Sequence, residues 1–313
     1  MKIAIIGGGW VGCHLANVLS KDNNLVLFER SGIFSGSSFF NQNRLHLGYH
    51  YSRSNNTRDL CSKTFSRFCK QYHSLVEDVQ KNVYSVPLND SLIDFNTYLK
   101  IFDGFDTHRL VEIKSLSNIE GSILVDEKYI NPEKSKTYFE ESLESLILYE
   151  NIERNDIKSL QKDYDIIINC TNNNLSPITE NTFSEECIVL LYEKIGDLEF
   201  DALTFVDGKL MSIYPYDLDK KLYSLTDVEF TPMGNLPIEF LKDRMEKKVL
   251  KYYERFLDHF KFYSHVKSLK NKVKNLSDTR VPLIQRNDNV ISCFTGKIQG
   301  IYLIEDYIKE ICL

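Results

Sequence analysis

The sequence lacks the long apolar run that a membrane helix requires. A spanning helix takes about 18 or more consecutive apolar residues, and no stretch of the 313-residue chain approaches that length. A secretory leader is not seen either, because the first apolar run begins at Lys2 and has the pattern of a strand. These absences predict a cytoplasmic protein without a membrane span.

Paired cysteines are also missing. The seven cysteines are odd in number and scattered along the chain, and no two of them form a C-x-x-C pair. This pattern argues against the disulfide framework of a small secreted domain and against the ligand spacing of a zinc site. We expect free thiols in a reducing compartment.

An excess of basic residues is the third absence. The formal net charge is −6, with 38 basic and 44 acidic residues, which disfavours a nucleic-acid partner. The lysine-rich region 242–274 is a local exception, which we interpret as a solvated helix face. The chain is long enough for one large or two modest domains with a sizeable core.

The first thirty residues contain the clearest motif. An apolar, β-rich run at 2–6 stops at residues 7–12, whose glycines have the spacing G-x-G-x-x-G. A helical pattern follows, and a second apolar run at 25–28 ends on Glu29. Strand, glycine turn, helix and acid-terminated strand together predict a dinucleotide-binding fold.

Each motif residue has a mechanical task in such a fold. Gly7 permits the tight turn, Gly9 lets the backbone approach a pyrophosphate, and Gly12 lets the helix pack against the sheet. The first N–H groups of the helix point at the phosphates. The Glu29 carboxylate can accept ribose hydroxyls, and it disfavours the 2′-phosphate of NADP.

Residues 31–58 form a segment too polar for a core element and too aromatic for a disordered linker. Ordered loops of this kind tend to be functional. His46 and His50 are four residues apart, but Gly48 lies between them and the sequence offers no third ligand. We therefore predict hydrogen-bonded histidines and no metal site.

Hydrophobic periodicity predicts the remaining elements. Helices are expected at 57–80, from 97 to about 102, at 132–146, at 237–260 and at 298–312. Strands are expected at 83–86, 92–95, 124–130, 163–171, 187–194, 203–206, 209–214, 221–230, 262–274 and 290–294, with a hairpin turn at Asp207-Gly208.

These elements predict an α/β fold made of two interleaved domains. A Rossmann-like nucleotide-binding domain with a parallel sheet is expected at 1–75, 135–180 and 275–313. An inserted antiparallel-sheet domain is expected at 76–134 and 181–274.

The layout and four local matches resemble the D-amino-acid-oxidase-like (DAO) superfamily of FAD-dependent oxidoreductases. The matches are the motif ending at Glu29, then Gly36-Ser37-Ser38 with Asn43, Leu45-His46 and Gly48, then 166–171, and finally Thr279-Arg280-Val281-Pro282 with Gly296-Lys297. The sequence departs from the family where Arg44 and Leu45 replace small residues and where 172–174 are three asparagines.

The resemblance implies an extended, noncovalently bound FAD. Its adenosine would lie on Glu29, its pyrophosphate on the glycine turn and its isoalloxazine between the two domains. The cofactor-binding residues implied are Gly7, Gly9, Trp10, Val11, Gly12, Glu29, Arg30, Ser37, Ser38, Asn43, Arg44, Leu45, Cys170, Thr171, Gly296, Lys297 and Ile298.

The resemblance also suggests candidate catalytic residues, each with a plainer alternative. Lys297 would stabilise negative charge at flavin N1 and the C2 carbonyl, unless it merely opens the last helix. Arg280 would pair with a substrate carboxylate, unless it forms a structural ion pair. Tyr214 would line the substrate wall, unless it is core. His46, with His50, would contact the flavin or act as a base.

The function implied is that of an FAD-dependent oxidase or dehydrogenase. It would oxidise a small amine or amino acid at the C–N bond by hydride transfer to flavin N5, and oxygen or a carrier would reoxidise the flavin. Alternatives are a 2-hydroxy-acid dehydrogenase, a non-redox sugar mutase similar to UDP-galactopyranose mutase, and a flavoprotein kept for binding or assembly.

Overall fold

The computed structural model describes residues 1–175, 178–179, 181–274 and 279–312. The helices in these ranges are α1 (Trp10–Leu19), α2 (Asn55–Gln71), α3 (Phe95–Ile101), α4 (Pro132–Leu143), α5 (Ile157–Asp163), α6 (Ile238–Leu250), α7 (Phe256–His259) and α8 (Ile301–Cys312). The strands are β1 (Lys2–Ile6), β2 (Asn24–Glu29), β3 (Arg44–Leu45), β4 (Val76–Asp78), β5 (Asn82–Pro87), β6 (His108–Val111), β7 (Ile119–Val125), β8 (Lys128–Ile130), β9 (Ile147–Tyr149), β10 (Ile166–Asn169), β11 (Thr182–Lys194), β12 (Ala202–Phe205), β13 (Met211–Asp217), β14 (Leu222–Asp227), β15 (Phe260–Val273), β16 (Leu283–Asn287) and β17 (Val290–Phe294).

The first sheet has six strands in the order β16-β17-β10-β1-β2-β9. All neighbours are parallel except the edge pair β16–β17. The central strands are apolar at successive positions because both faces are covered: Ile3 and Ile5 join the core with α1, α4 and α8, while Ala4 and Ile6 pack on the opposite face. This arrangement brings the carboxyl ends of five parallel strands to one edge.

The second sheet has eight strands in the order β15-β11-β14-β13-β12-β5-β7-β6. Its neighbours are antiparallel except for β12 and β5, which come from separate segments of the chain and run parallel. Helix α6 covers one face through Leu241, Met245 and Val249, which lie in the same buried core as β11, β13 and β14. Side chains on this sheet face the edge where the parallel strands end.

A small third sheet joins the other two. Its strand order is β3-β8-β4, and Arg44 of β3 pairs with Tyr129 of β8. The sequence analysis does not predict this sheet, because two- and three-residue strands carry no measurable periodicity. Its importance is that it fixes Arg44 and the loop that follows it.

The predicted fold class, α/β with a Rossmann-like sheet and an inserted, largely antiparallel sheet, is confirmed. The strand at 166–169 joins the parallel sheet as predicted, and Asp207-Gly208 lies in the turn between β12 and β13. The domain boundaries stay a prediction. Residues 176, 177, 180, 275–278 and 313 of the predicted ranges lie outside the described residues.

Two of the predicted strands are wrong. Residues 92–95 are not a strand, because the Asp94 side chain accepts the Thr97 N–H at 2.8 Å and begins α3. Residues 124–130 divide into β7 and β8, which belong to different sheets. The break comes at Glu127, whose buried carboxylate accepts loop N–H groups rather than continuing the strand.

Two predicted helices also have different bounds. The helix predicted at 57–80 runs from Asn55 to Gln71, and the region after it turns into β4. The amphipathic stretch at 237–260 forms α6 and the short α7 instead of a single helix. Part of the lysine-rich region therefore lies on β15, a strand, and not on a helix face.

Candidate active site

A cavity of about 1500 Å³ lies where the five parallel strands end. The residues that follow β1, β2, β9, β10 and β17 all line it, as expected for a ligand site at the carboxyl edge of an α/β sheet. The opposite wall comes from the second sheet, mainly 205–212 and 267–272, and from the loop 35–44. The cavity therefore runs from the glycine turn to the second sheet.

The glycine turn forms one end of the cavity. Gly7 has a φ of +107°, and a Cβ on it would lie 2.9 Å from the Cys170 carbonyl oxygen. A Cβ on Gly12 would lie 1.9 Å from the Gly7 oxygen, and one on Gly9 would lie 2.8 Å from Ser38 Oγ. Only glycine leaves this cradle open, so its shape fits a pyrophosphate lying against the start of α1.

Glu29 ends β2 beside the glycine turn, lines the cavity and is 8% exposed. Its Oε2 accepts the Gly8 N–H at 2.6 Å, and its Oε1 accepts the N–H groups of Ser31 and Gly32 at 2.8 and 3.4 Å. Each carboxylate oxygen has two lone pairs, so one lone pair of Oε2 remains for a ribose hydroxyl. Glu29 thus fits the adenosine of FAD while it also fixes the turn.

Arg44 lies near the opposite end and is 7% exposed. Its Nη1 donates to Thr204 Oγ1 at 2.8 Å and to Tyr84 Oη at 3.3 Å. The guanidinium carbon lies 4.0 Å from the centre of the Tyr214 ring. Burial opposes the charged form, but Tyr84, Tyr214 and Glu127 outweigh it and raise the pKa of Arg44. A positive charge is therefore fixed in the cavity wall.

Lys297 is a second cation in this wall, just after β17. Its Nζ lies 4.7 Å from the centre of the Tyr51 ring. Burial, reinforced by the charges on Arg280 and Arg44, lowers the pKa of Lys297 to about 8. The ammonium is thus still charged at neutral pH, but it is close to its deprotonation point.

Arg280 and Lys270 complete a group of cations. The Arg280 side chain packs over Gly296, where an added Cβ would lie 3.1 Å from Arg280 Cδ. Burial lowers the pKa of Lys270, and Arg280 adds to that shift. Arg44, Lys297, Arg280 and Lys270 all line the cavity, so its wall away from the glycine turn is positively charged.

The two histidines of the loop differ in their position. His50 lines the cavity, and burial with the nearby His46 keeps its pKa well below the ordinary value. His46 lies behind the wall, with Nδ1 3.4 Å from Glu127 Oε2. Burial and the charge on Lys297 likewise keep the pKa of His46 low. Both rings are neutral at pH 7, but only His50 reaches the cavity.

Most of the predicted site residues come together in this cavity. Those that line it are Gly7, Gly9, Trp10, Val11, Glu29, Arg30, Ser37, Ser38, Asn43, Arg44, Cys170, Thr171, Arg280, Gly296, Lys297 and Ile298.

Four predicted site residues lie behind the wall instead. Gly12 supports the turn from below, and Leu45 is fully buried in the core of the first sheet. His46 faces Glu127, as described above. Tyr214 donates its hydroxyl to the Lys128 carbonyl at 3.0 Å and presents its ring to Arg44. Tyr214 therefore supports the wall rather than forming its surface.

Sequence reasoning missed several parts of the site. Residues 150–154, after β9, line the nucleotide end, and nothing in their composition marks them. Arg53 forms a bidentate pair with Asp207, 154 positions away, which no local pattern could reveal. The sequence does contain one signal for Glu127, because a carboxylate stands there between the apolar ends of two strands.

The chain is similar to known flavoproteins. Residues 2–181 match the DAO family, described as FAD-dependent oxidoreductase. The FAD-dependent monooxygenase FPY4 of Fusarium mangiferae is 29% identical over 337 residues, which cover 99% of this chain and 90% of that protein. The FAD-dependent monooxygenase kojA of Aspergillus flavus is 27% identical over 357 residues, covering 96% and 83%.

The fold is also similar to solved structures. Glycine oxidase from Geobacillus kaustophilus superposes with a TM-score of 0.74 at 10% sequence identity, covering 98% of this chain and 93% of that one. At that identity the likeness concerns the fold alone. None of the helices in the described ranges is both long and apolar enough to cross a membrane. The matches confirm the prediction of FAD as the cofactor.

Proposed function

This chain belongs to the DAO family of FAD-dependent oxidoreductases, and we propose that it oxidises a small amine or amino acid at its C–N bond. The glycine turn and Glu29 would hold a noncovalent FAD, whose flavin accepts a hydride from a carbon bonded to nitrogen. The remaining residues would bind the substrate, exclude water and control its protonation.

The observation that carries this proposal is the cluster of cations at the wall away from the glycine turn. Arg44, Arg280, Lys270 and Lys297 line one region of the cavity, and burial holds the pKa of Lys297 at about 8. The burial and the neighbouring cations that disfavour the lysine ammonium also disfavour a substrate ammonium placed there. They lower the pKa of a bound amine and so raise the fraction that has the free lone pair needed for C–N oxidation.

The same wall suits the carboxylate of an amino acid. Guanidinium groups pair bidentately with carboxylates, and the low dielectric of a buried cavity strengthens that pairing. An amino acid would then bind through its carboxylate and be oxidised at the adjacent carbon. This reasoning favours amino acids over simple amines.

A second candidate is the oxidation of a 2-hydroxy acid. His50 favours it, because the residue lines the cavity, is neutral and has an Nδ1 without a hydrogen-bond partner in the described part of the chain. A hydroxyl proton must be removed during oxidation, and a neutral imidazole is the usual base. C–N oxidation of a neutral amine requires no such group.

The test is anaerobic reduction of the purified holoenzyme by matched pairs of amino acids and 2-hydroxy acids with the same side chain. The proposal expects bleaching of the flavin by an amino acid, with His50→Asn retaining the reduction rate within about tenfold. Bleaching only by the hydroxy acid, together with its loss in His50→Asn, would establish the second candidate instead.

The fate of oxygen needs a separate measurement. The two fungal relatives are named monooxygenases, whereas the proposal here requires no oxygen in the product. Turnover under isotopically labelled dioxygen distinguishes them: an oxidase releases hydrogen peroxide, and a monooxygenase places the label in the organic product. Reduction without oxygen uptake would point to a separate electron carrier.

A further inference from the structure

A series of aromatic side chains runs from the cavity wall to the surface of the protein. Trp10, the only tryptophan of the sequence, opens α1 beside the glycine turn and lines the cavity. Its ring centre lies 5.5 Å from that of Tyr72, which is 1% exposed. The Tyr72 ring centre lies 6.1 Å from that of Tyr138, a half-buried residue of α4. Two short steps therefore connect the glycine end of the cavity with the surface.

The Tyr72 hydroxyl is hydrogen-bonded to a buried histidine. Tyr72 Oη lies 2.6 Å from His14 Nδ1, and His14 Nε2 lies 3.0 Å from Glu305 Oε2. His14 is fully buried, and Glu305 is 3% exposed. The three groups come from α1, from the residue that ends α2, and from α8. A phenol, an imidazole and a carboxylate are thus aligned in the core beside Trp10.

The charge states decide the direction of these hydrogen bonds. Burial opposes the charged form of Glu305, but the hydrogen bonds from His14 and Lys309 outweigh it and lower the pKa of Glu305 to about 2. An ionised carboxylate only accepts hydrogen bonds, so His14 Nε2 carries a proton. Burial lowers the pKa of His14, although the hydrogen bond to Glu305 opposes the shift. The ring is therefore neutral at pH 7, and its Nδ1 accepts the hydrogen bond that the Tyr72 hydroxyl donates.

This arrangement favours the loss of one electron from Tyr72. A phenol that loses an electron becomes a strong acid, and its release of a proton is costly in a buried site without a base. Burial raises the pKa of Tyr72, so the proton stays in place until the electron leaves. It then moves along an existing hydrogen bond to His14 Nδ1. The imidazolium that forms is already bonded to the Glu305 carboxylate, which pairs the new charge.

We propose that Tyr72 is a redox-active tyrosine, which gives one electron to oxidised Trp10 and its phenolic proton to His14. Trp10 is oxidised when a one-electron oxidant in the cavity, light-excited FAD, takes an electron from it. The step balances: FAD gains one electron, Tyr72 loses one electron and one proton, and His14 gains that proton. An oxidant in the cavity thus oxidises Tyr72 rather than the residues that hold the cofactor. The inference needs bound FAD but no substrate, so it stands apart from the proposed function.

Tyr98 provides a comparison within the same protein. It is fully buried, and its hydroxyl donates to the Tyr49 carbonyl oxygen at 2.9 Å. A backbone carbonyl accepts a hydrogen bond but does not take up the proton at neutral pH. Both Tyr72 and Tyr98 therefore support the fold through their hydroxyls, but the partner of Tyr72 is a base.

The test is a blue-light flash on the FAD-loaded protein without substrate, followed by transient absorption and electron paramagnetic resonance. Wild type should form a tyrosyl radical, assigned with ring-deuterated tyrosine, and the radical should form more slowly in D2O because a proton moves with the electron. Tyr72→Phe should remove this radical, and Trp10→Phe should prevent its formation. His14→Gln should lower the yield by about tenfold or more, since a positioned base contributes about 10²–10⁴-fold to a proton transfer.

Tyr98→Phe is the matched control, because it also removes one hydroxyl from a buried tyrosine, and it should leave the radical yield unchanged. FAD content and the thermal transition of each variant are measured first, and yields are compared per bound FAD. The absence of a tyrosyl radical in wild type, its persistence in Tyr72→Phe, or its equal loss in Tyr98→Phe would overturn the proposal. An undiminished yield in His14→Gln would also overturn it, because the histidine would then only hold the helices together. Should Tyr72→Phe bind no FAD, the comparison of His14→Gln with Tyr98→Phe decides.

Discussion

The two ends of the cavity recognise their ligands by different means. At the glycine end the wall is backbone: the turn after β1, the start of α1 and one acid, Glu29. At the other end the wall is side chain, with Arg44, Lys297 and His50 held in place by buried partners. Shape dominates the first end, and charge dominates the second.

This difference predicts different responses to mutation. A backbone cradle fails when any bulk enters it, because the space it leaves is used completely by the cofactor. A side-chain wall responds in degrees, because each group contributes separately and can be replaced by one of similar length. The predictions below move from the first kind of response to the second.

Gly9→Val should abolish FAD binding. Even a Cβ at this position lies 2.8 Å from Ser38 Oγ, and the branches of valine would fill the pyrophosphate's place at the start of α1. Gly104→Val is the matched control, since no atom of the described residues other than its chain neighbours lies within 4 Å of a Cβ there. The flavin content of the two purified variants tests this prediction. A Gly9 variant with full flavin content would mean that the glycine turn does not hold the pyrophosphate.

Glu29→Ala should weaken FAD binding by about 10- to 100-fold, as expected for one charge-assisted hydrogen bond to ribose. It also removes the acceptor of the Gly8 and Ser31 N–H groups, so part of the loss comes from a looser turn. Glu29→Gln keeps one oxygen and should lose less. Titration of the FAD-free proteins with FAD measures the affinity of wild type and of both variants. Equal affinity in all three proteins would mean that Glu29 does not contact the cofactor.

How far the sequence predicts each end follows from the same contrast. The glycine end uses contiguous residues, and the spacing of Gly7, Gly9 and Gly12 with Glu29 constrains a turn, a helix and a strand at once. Its residues are therefore recognisable in one sequence. The match to the family and the structure confirm the fold and the cofactor that this motif predicts.

The other end is assembled from distant segments, and single positions there carry no pattern. The side chain of Arg44 is supported by Tyr84, Thr204 and Tyr214, up to 170 positions further along the chain. Composition cannot tell that Tyr214 lies behind the wall. Nor can it tell that His50 lines the cavity while His46 does not, because burial is decided by the sheet packed behind the loop.

Lys297→Met should slow flavin reduction by about tenfold and leave FAD content unchanged, since it removes a positive charge near the substrate end and not the cradle. Burial comes first in lowering the pKa of Lys297 to about 8; Arg280 and Arg44 lower it further, while Cys61 and Glu127 oppose the shift. The reduction rate of wild type should therefore fall as pH rises through about 8, and that step should vanish in the variant.

Lys297→Arg provides the control for the reduction rate, because arginine stays charged throughout the pH range around 8.

The lowered pKa of Lys297 also has a consequence for the stability of the fold. An unfolded lysine keeps its proton up to about 10.5, so between pH 8 and 10.5 the unfolded chain binds more protons and the folded protein gains stability as pH rises. For the reaction, a wild-type flavin reduction rate that shows no step near pH 8 would mean that Lys297 takes no part in it.

The smallest effect separates the two arginines of the substrate end by stability alone. Arg53→Met breaks a pair with Asp207 in which the Arg53 side chain is 47% exposed, so solvent screening limits the loss to about 1 kcal/mol. Arg44→Met removes two hydrogen bonds, the stacking on Tyr214 and a buried charge that Tyr84, Tyr214 and Glu127 stabilise. Removing a charged member of a buried network costs more than breaking a half-exposed pair. In denaturant unfolding, Arg53→Met should therefore unfold slightly below wild type, and Arg44→Met further below it. A loss in Arg44→Met equal to or smaller than that in Arg53→Met would mean that the cost of burying the guanidinium cancels the bonds it forms.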